Sequence, residues 1–126
     1  MPERTPSVSF ERNKRALEAV EVTLSAIGEI EGFIAEVFSS RFRAAGKLML
    51  AVTHLVQIIG EVTKDMADGI EDRQPGIPWR QVRDMRYRIA HEYLSVDFRM
   101  VWDVATTDLA PLRLAQIAER DYLTSC

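Results

Sequence analysis

Six apolar residues on a four-three rhythm, Leu48, Val52, Leu55, Ile59, Val62 and Met66, constrain the fold of this chain more than any other feature. Such steps return to one side of a helix every two turns, whereas strand side chains alternate with period two, so the segment is a helix laid along another helix. The pattern predicts a helix from Lys47 to Ala67, packed in a bundle or at a dimer seam. A second series, Leu17, Val20, Leu24, Ile27, Ile34 and Val37, is interrupted only at Glu31. It predicts one long helix or two joined helices from Phe10 to Phe38, with Gly28 and Gly32 marking a bend.

The stretch DGIEDRQPGIP, Asp68 to Pro78, carries two Gly and two Pro and reads as a loop. Pro78 suits the first turn of a helix starting near Trp79. Asp97 is placed to cap a helix from Phe98 to Thr106, and Asp108 to cap a last helix with Pro111 in its first turn, ending near Tyr122. No segment sustains a strand period. The expected architecture is all-α, an antiparallel bundle of four to five helices, with residues 1–126 forming one domain and residues 1–9 a flexible lead-in.

Composition excludes several classes. With 47% apolar and 28% charged residues, and only six Gly and five Pro, the chain is neither disordered nor a many-turned β fold. The single cysteine is Cys126, so an internal disulfide and a cysteine zinc site are excluded, and no run approaches the roughly 20 apolar residues of a membrane span. A cytoplasmic location without membrane contact is expected. The net charge of −3 argues against a basic coat for nucleic acid, yet Arg80, Arg83, Arg86, Arg88 and Arg99 outnumber Asp84, Glu92 and Asp97 between positions 80 and 99. His54, among apolar neighbours, is expected to be a buried or partner-bonded structural histidine. Trp79 and Trp102 are expected to anchor the core.

Within the basic segment, MRYRIAHEY (Met85 to Tyr93) places two arginines, two tyrosines and a histidine in nine positions. On one regular helix Arg86 and Tyr93 nearly eclipse each other, and His91 lies about 140° from Arg86. Asp84, Arg88 and His91 do share a face, which as a structural reading makes them a surface ion network. A composite site forms if two copies meet across a two-fold axis. Imidazole and guanidinium together suit RNA cleavage without metal: the 2′-OH attacks phosphorus, imidazole moves protons, and guanidinium stabilises the non-bridging oxygens.

The spacing R-x4-H-x-Y, here Arg86, His91 and Tyr93, resembles the signature of HEPN ribonucleases of the HepT type, the toxin halves of type VII-like HepT/MntA toxin-antitoxin pairs. The segments IIGEV, PGIPWRQVRDMR and HEYLSVDFRMVWDVATTDLAPL are similar to the family's order over roughly residues 47 to 118. The resemblance implies an HEPN-like fold, a homodimer, and an RNA-cleaving Arg86 and His91 pair at the dimer cleft that needs no cofactor or metal. It further implies a nucleotidyltransferase antitoxin of the MntA type that attaches AMP to Tyr93. Tyr87, Arg83 and Arg88 are the expected supporting or substrate-binding residues. Tyr87 stands where many family members have Asn, and a phenol differs from an amide in size and reach.

That departure motivates a rival reading, in which the bundle has lost cleavage and holds RNA, nucleotide or the nucleotidyltransferase as a binding module. A third reading is a structural helical dimer whose Arg, His and Tyr only pair with acids such as Asp84 and Glu92.

Overall fold

The computed structural model describes residues 8–35, 37, 46–84 and 98–125. In chain order these form α1 (Val8–Ile34), α2 (Gly46–Val62), a 3-10 turn (Thr63–Asp65), α3 (Ile70–Arg73), α4 (residues 79–84), α5 (Phe98–Asp103), a π turn (Val104–Asp108) and α6 (Leu109–Thr124). No strand occurs among the described residues, and the fold is the all-α helical bundle expected of an HEPN-like chain.

Helix α1 buries Ala16, Ala19, Val20, Thr23, Ala26, Ile27 and Ile30. The small residues on that face allow close approach of α2 and α6, the two helices it packs against. Thr23 sits on the buried face at no hydrogen-bonding loss, because its hydroxyl donates to the Ala19 carbonyl at 2.8 Å. Ion pairs from Glu21 to Arg120 and from Glu31 to Arg113 run in opposite order along α1 and α6, so these two helices are antiparallel. The expected bend at Gly28 and Gly32 does not divide the helix: both glycines are helical and exposed, and a methyl group at either would meet nothing within 4 Å. Each glycine disfavours the helix by about 1 kcal/mol. Burial of Ile27 and Ile30, worth about 1.5–3 kcal/mol each, outweighs that loss.

On α2 the buried residues are Val52, Thr53, Val56, Ile59 and Gly60. This face lies to one side of the four-three series, of which Leu48, Leu55, Val62 and Met66 are only half-buried. The helix also ends sooner than expected, tightening into the 3-10 turn after Val62 before Met66 leaves the helical region at ψ 154°. His54 is exposed, which corrects the expectation of a buried histidine. It is two residues from both Val52 and Val56, about 200° around the helix from each, and so faces away from the line they bury.

The segment expected to be only a loop contains the single helical turn α3. Gly69 turns the chain at φ 84°, a conformation that strongly favours glycine, and Ile70 plugs into the core at 5% exposure. Four residues are too few to show a helical period in sequence. Pro78 precedes α4 as its cap rather than lying inside it, its carbonyl accepting the Val82 N–H at 3.0 Å. Trp79 is buried as expected, with its indole N–H donating to the Gln74 carbonyl at 2.9 Å, and Trp102 packs half-buried against the same core.

Asp108 does not cap a new helix. Its backbone is helical and its side chain makes no capping bond, because α5 runs through the π turn into α6 without a break. Pro111 accounts for the local widening: it has no N–H for the Thr107 carbonyl, and its ring crowds the preceding turn. Asp97, expected to cap α5, lies outside the described residues, as does Cys126.

One apolar cluster joins these elements. Ile27 and Ile30 of α1, Val52, Val56 and Ile59 of α2, Ile70, Trp79, Val101 of α5, and Leu109 and Leu112 of α6 all belong to it.

Candidate functional site

Of the residues singled out in sequence, Arg86, Tyr87, Arg88, His91 and Tyr93 lie outside the described residues; Arg83 is described. What is described is the framework on either side of them. On the N-terminal side the chain enters the motif from α4, whose Arg80, Arg83 and Asp84 are exposed; on the C-terminal side it leaves into α5 at Phe98.

The Arg83 guanidinium lies 2.6 Å from Glu71 across the turn formed by α3. Both side chains are about half exposed, at 42% and 57%, so the pair is weak. A cleft of about 520 Å³ runs along α4, with Ile59, Ile77, Val82, Leu109 and Leu112 among its apolar lining. Asp84 and Asp108 also line it, which makes it a poor seat for phosphate. The π turn contributes Val104 and Asp108 to its wall.

Beneath the approach to α4 lies a polar arrangement that sequence reasoning missed. Glu119 of α6 is completely buried, and Arg73 at the end of α3 grips it with both arms: Nε donates to Oε1 at 2.6 Å and Nη2 to Oε2 at 2.9 Å. Nη1 of the same guanidinium donates to the Asp68 carbonyl at 3.0 Å, and its carbon sits 4.0 Å from the centre of the Tyr122 ring. The hydrogen bond to Glu119 holds the Arg73 pKa above its ordinary value, against the desolvation that burial imposes. The guanidinium therefore stays ionised, and its planar fork matches the two oxygens of the carboxylate it meets.

A signal for half of this was present in the sequence. Gln116 and Glu119 fall on the stripe of α6 that also buries Leu112 and Ala115, and a carboxylate at a core position requires a partner. The partner is 46 residues away, in a segment without periodicity, so nothing local names it. Gln116 is less well satisfied. Among the described residues its amide nitrogen reaches only the Met66 sulfur, at 3.8 Å, and its amide oxygen has no hydrogen-bond partner.

Among the described residues, no group of three or more His, Cys, Asp and Glu side chains is placed to hold a metal ion. Nor is any described helix long and apolar enough to cross a membrane.

Comparison with known proteins agrees with the helical framework. The profile of the family described as "Ribonuclease HepT-like" matches residues 23–118, a span that contains the whole motif. A Thermococcus cleftensis protein named "Probable ribonuclease HepT" is 33% identical over 94 residues, covering 75% of this chain and 86% of its own length. A Methanocaldococcus jannaschii protein named "Putative RNase MJ0125" is 27% identical over 90 residues, covering 71% of this chain and 78% of its own. No solved structure gives a significant match. On the extent of the profile match and the identity to the first of these relatives, the chain belongs to the HepT-like ribonuclease family.

Proposed function

We propose that this protein is a metal-independent endoribonuclease toxin acting as a homodimer, with Arg86 and His91 of two copies forming the cleavage site. The observation that supports this reading is the Arg86, His91 and Tyr93 spacing inside the stretch matched by the ribonuclease family. The 2′-oxygen of the RNA attacks phosphorus and the bond to the 5′-oxygen breaks. The imidazole of one His91 takes the 2′-OH proton, and the imidazolium of its mate protonates the departing 5′-oxygen. Arg86 stabilises the charge on the non-bridging oxygens. Arg83 and Arg88, with Tyr87, hold flanking phosphate or base.

Purified protein incubated with total RNA is expected to cleave it equally with and without a chelator, and to sediment at about twice its 14.3 kDa mass. A monomer would remove the composite site. RNA that is bound but left intact favours the binding-module reading, which Tyr87 motivates.

The same reading includes control in the cytoplasm by a nucleotidyltransferase antitoxin that attaches AMP to Tyr93. A phosphodiester at that position brings negative charge close in sequence to Arg86 and His91, competing for the arginine and repelling RNA. Co-expression with a nucleotidyltransferase encoded beside it is expected to add the mass of AMP to the peptide carrying Tyr93. AMP on Tyr87 instead would relocate the acceptor, and an unmodified tight complex would mean control by occlusion.

A further inference from the structure

The clamp between Arg73 and Glu119 joins two parts of the chain that lie 46 residues apart. Glu119 belongs to the long C-terminal helix; Arg73 ends the single turn that precedes α4. We propose that Arg73 and Glu119 are positioning residues that seat the start of α4, and through it the Arg86 and His91 motif. The second half of this statement rests on the ribonuclease reading given above.

Four features support the assignment. The contact is directional, because a forked guanidinium meeting both oxygens of a fully buried carboxylate fixes orientation as well as distance. The same guanidinium closes its own turn by donating to the Asp68 carbonyl, so α3 and α6 are tied through a single group. Closure requires Gly69: at φ 84° its missing side chain leaves room for Arg73 Nη1, which lies 2.8 Å from where a Cβ would stand. Finally, the residue after Arg73 receives the next link. The Gln74 carbonyl accepts the indole N–H of Trp79, the buried first residue of α4, at 2.9 Å.

The result is a chain of contacts from Glu119 through Arg73, Gln74 and Trp79 into α4. Only Gln74 to Pro78 separate Arg73 from Trp79, so displacement of one is passed to the other with little slack. Arg86 follows the last described residue of α4 by two positions.

The test compares the full-length parent with Arg73→Met, Arg73→Lys and Glu119→Gln at a temperature where circular dichroism shows each folded. Two quantities are read: amide hydrogen exchange along the chain, and kcat and KM for RNA cleavage. Exchange in residues 70–84 is expected to rise by about tenfold or more beyond the rise that the lost stability gives α1 and α2, as for a locally released unit. The value of kcat is expected to fall with KM nearly unchanged, and Arg73→Lys, which keeps the charge without the fork, to recover part of the loss. Faster exchange spread evenly over all helices, or parental exchange in 70–84, would overturn the seating of α4. Local loosening with parental kcat would overturn its link to the motif. A parent that leaves RNA intact would count against the ribonuclease reading alone, since the exchange measurement still decides whether the clamp seats α4.

Discussion

Replacing His91 by alanine is expected to lower RNA cleavage by about 10²- to 10⁴-fold, the range for loss of a positioned proton-transfer group. The size of the effect follows from the shortage of substitutes. The chain has two histidines, and the other, His54, is an exposed residue of α2 on the side away from its packed face. Arg86→Ala is expected to fall in a similar range through loss of charge stabilisation at the phosphorus. Thermal unfolding and circular dichroism on the same samples separate chemistry from folding, and binding of a short RNA separates kcat from affinity. Parental cleavage by His91→Ala would remove this histidine from the cleavage site.

The largest effect on stability is expected at Arg73. Truncating it to alanine leaves the Glu119 carboxylate fully buried with neither of its two guanidinium hydrogen bonds. Breaking a buried pair from one side destabilises by about 3–5 kcal/mol. Against a typical total of about 5–15 kcal/mol, that is a substantial share. In a chain of this size it corresponds to a fall of roughly 10–20 °C in Tm. The sign reverses when both charges go together. Arg73→Met with Glu119→Leu removes the stranded carboxylate and adds apolar surface, so the double variant is expected to unfold well above Arg73→Ala. Denaturant unfolding of the three proteins checks this, and a double variant no more stable than the single would mean that the turn, rather than the buried charge, carries the energy.

The long helices were legible because their apolar residues recur over many turns: Leu17 to Ile34 and Leu48 to Val62 announce themselves in sequence. Their exact faces were less so. The four-three series on α2 assigned Leu55 to the seam and passed over Val56, which is completely buried, because a five-turn helix packed against two neighbours presents a broader face than a coiled-coil seam. Punctuation residues misled for opposite reasons. Gly28 and Gly32 were outweighed by the isoleucines beside them, while Pro111 widened a helix that Asp108 had seemed to start afresh. The clamp was hidden because it is a long-range pairing, and only its buried half left a mark. For the motif itself, residue types and spacing supplied the candidate chemistry, and the family match supports the ribonuclease class; their mutual geometry falls in residues 85–97, outside those described.

The uninterrupted run of α5, the π turn and α6 makes residues 98–124 one lever. At about 1.5 Å per residue, Phe98 and Glu119 stand roughly 30 Å apart along it. A tilt of about 5° pivoting near the Glu119 end would carry the Phe98 end through nearly 3 Å, about the length of one hydrogen bond. The chain segment bearing the motif thus lies between α4, which the proposed clamp ties to Glu119 through Arg73, and a continuous helical run that itself carries Glu119.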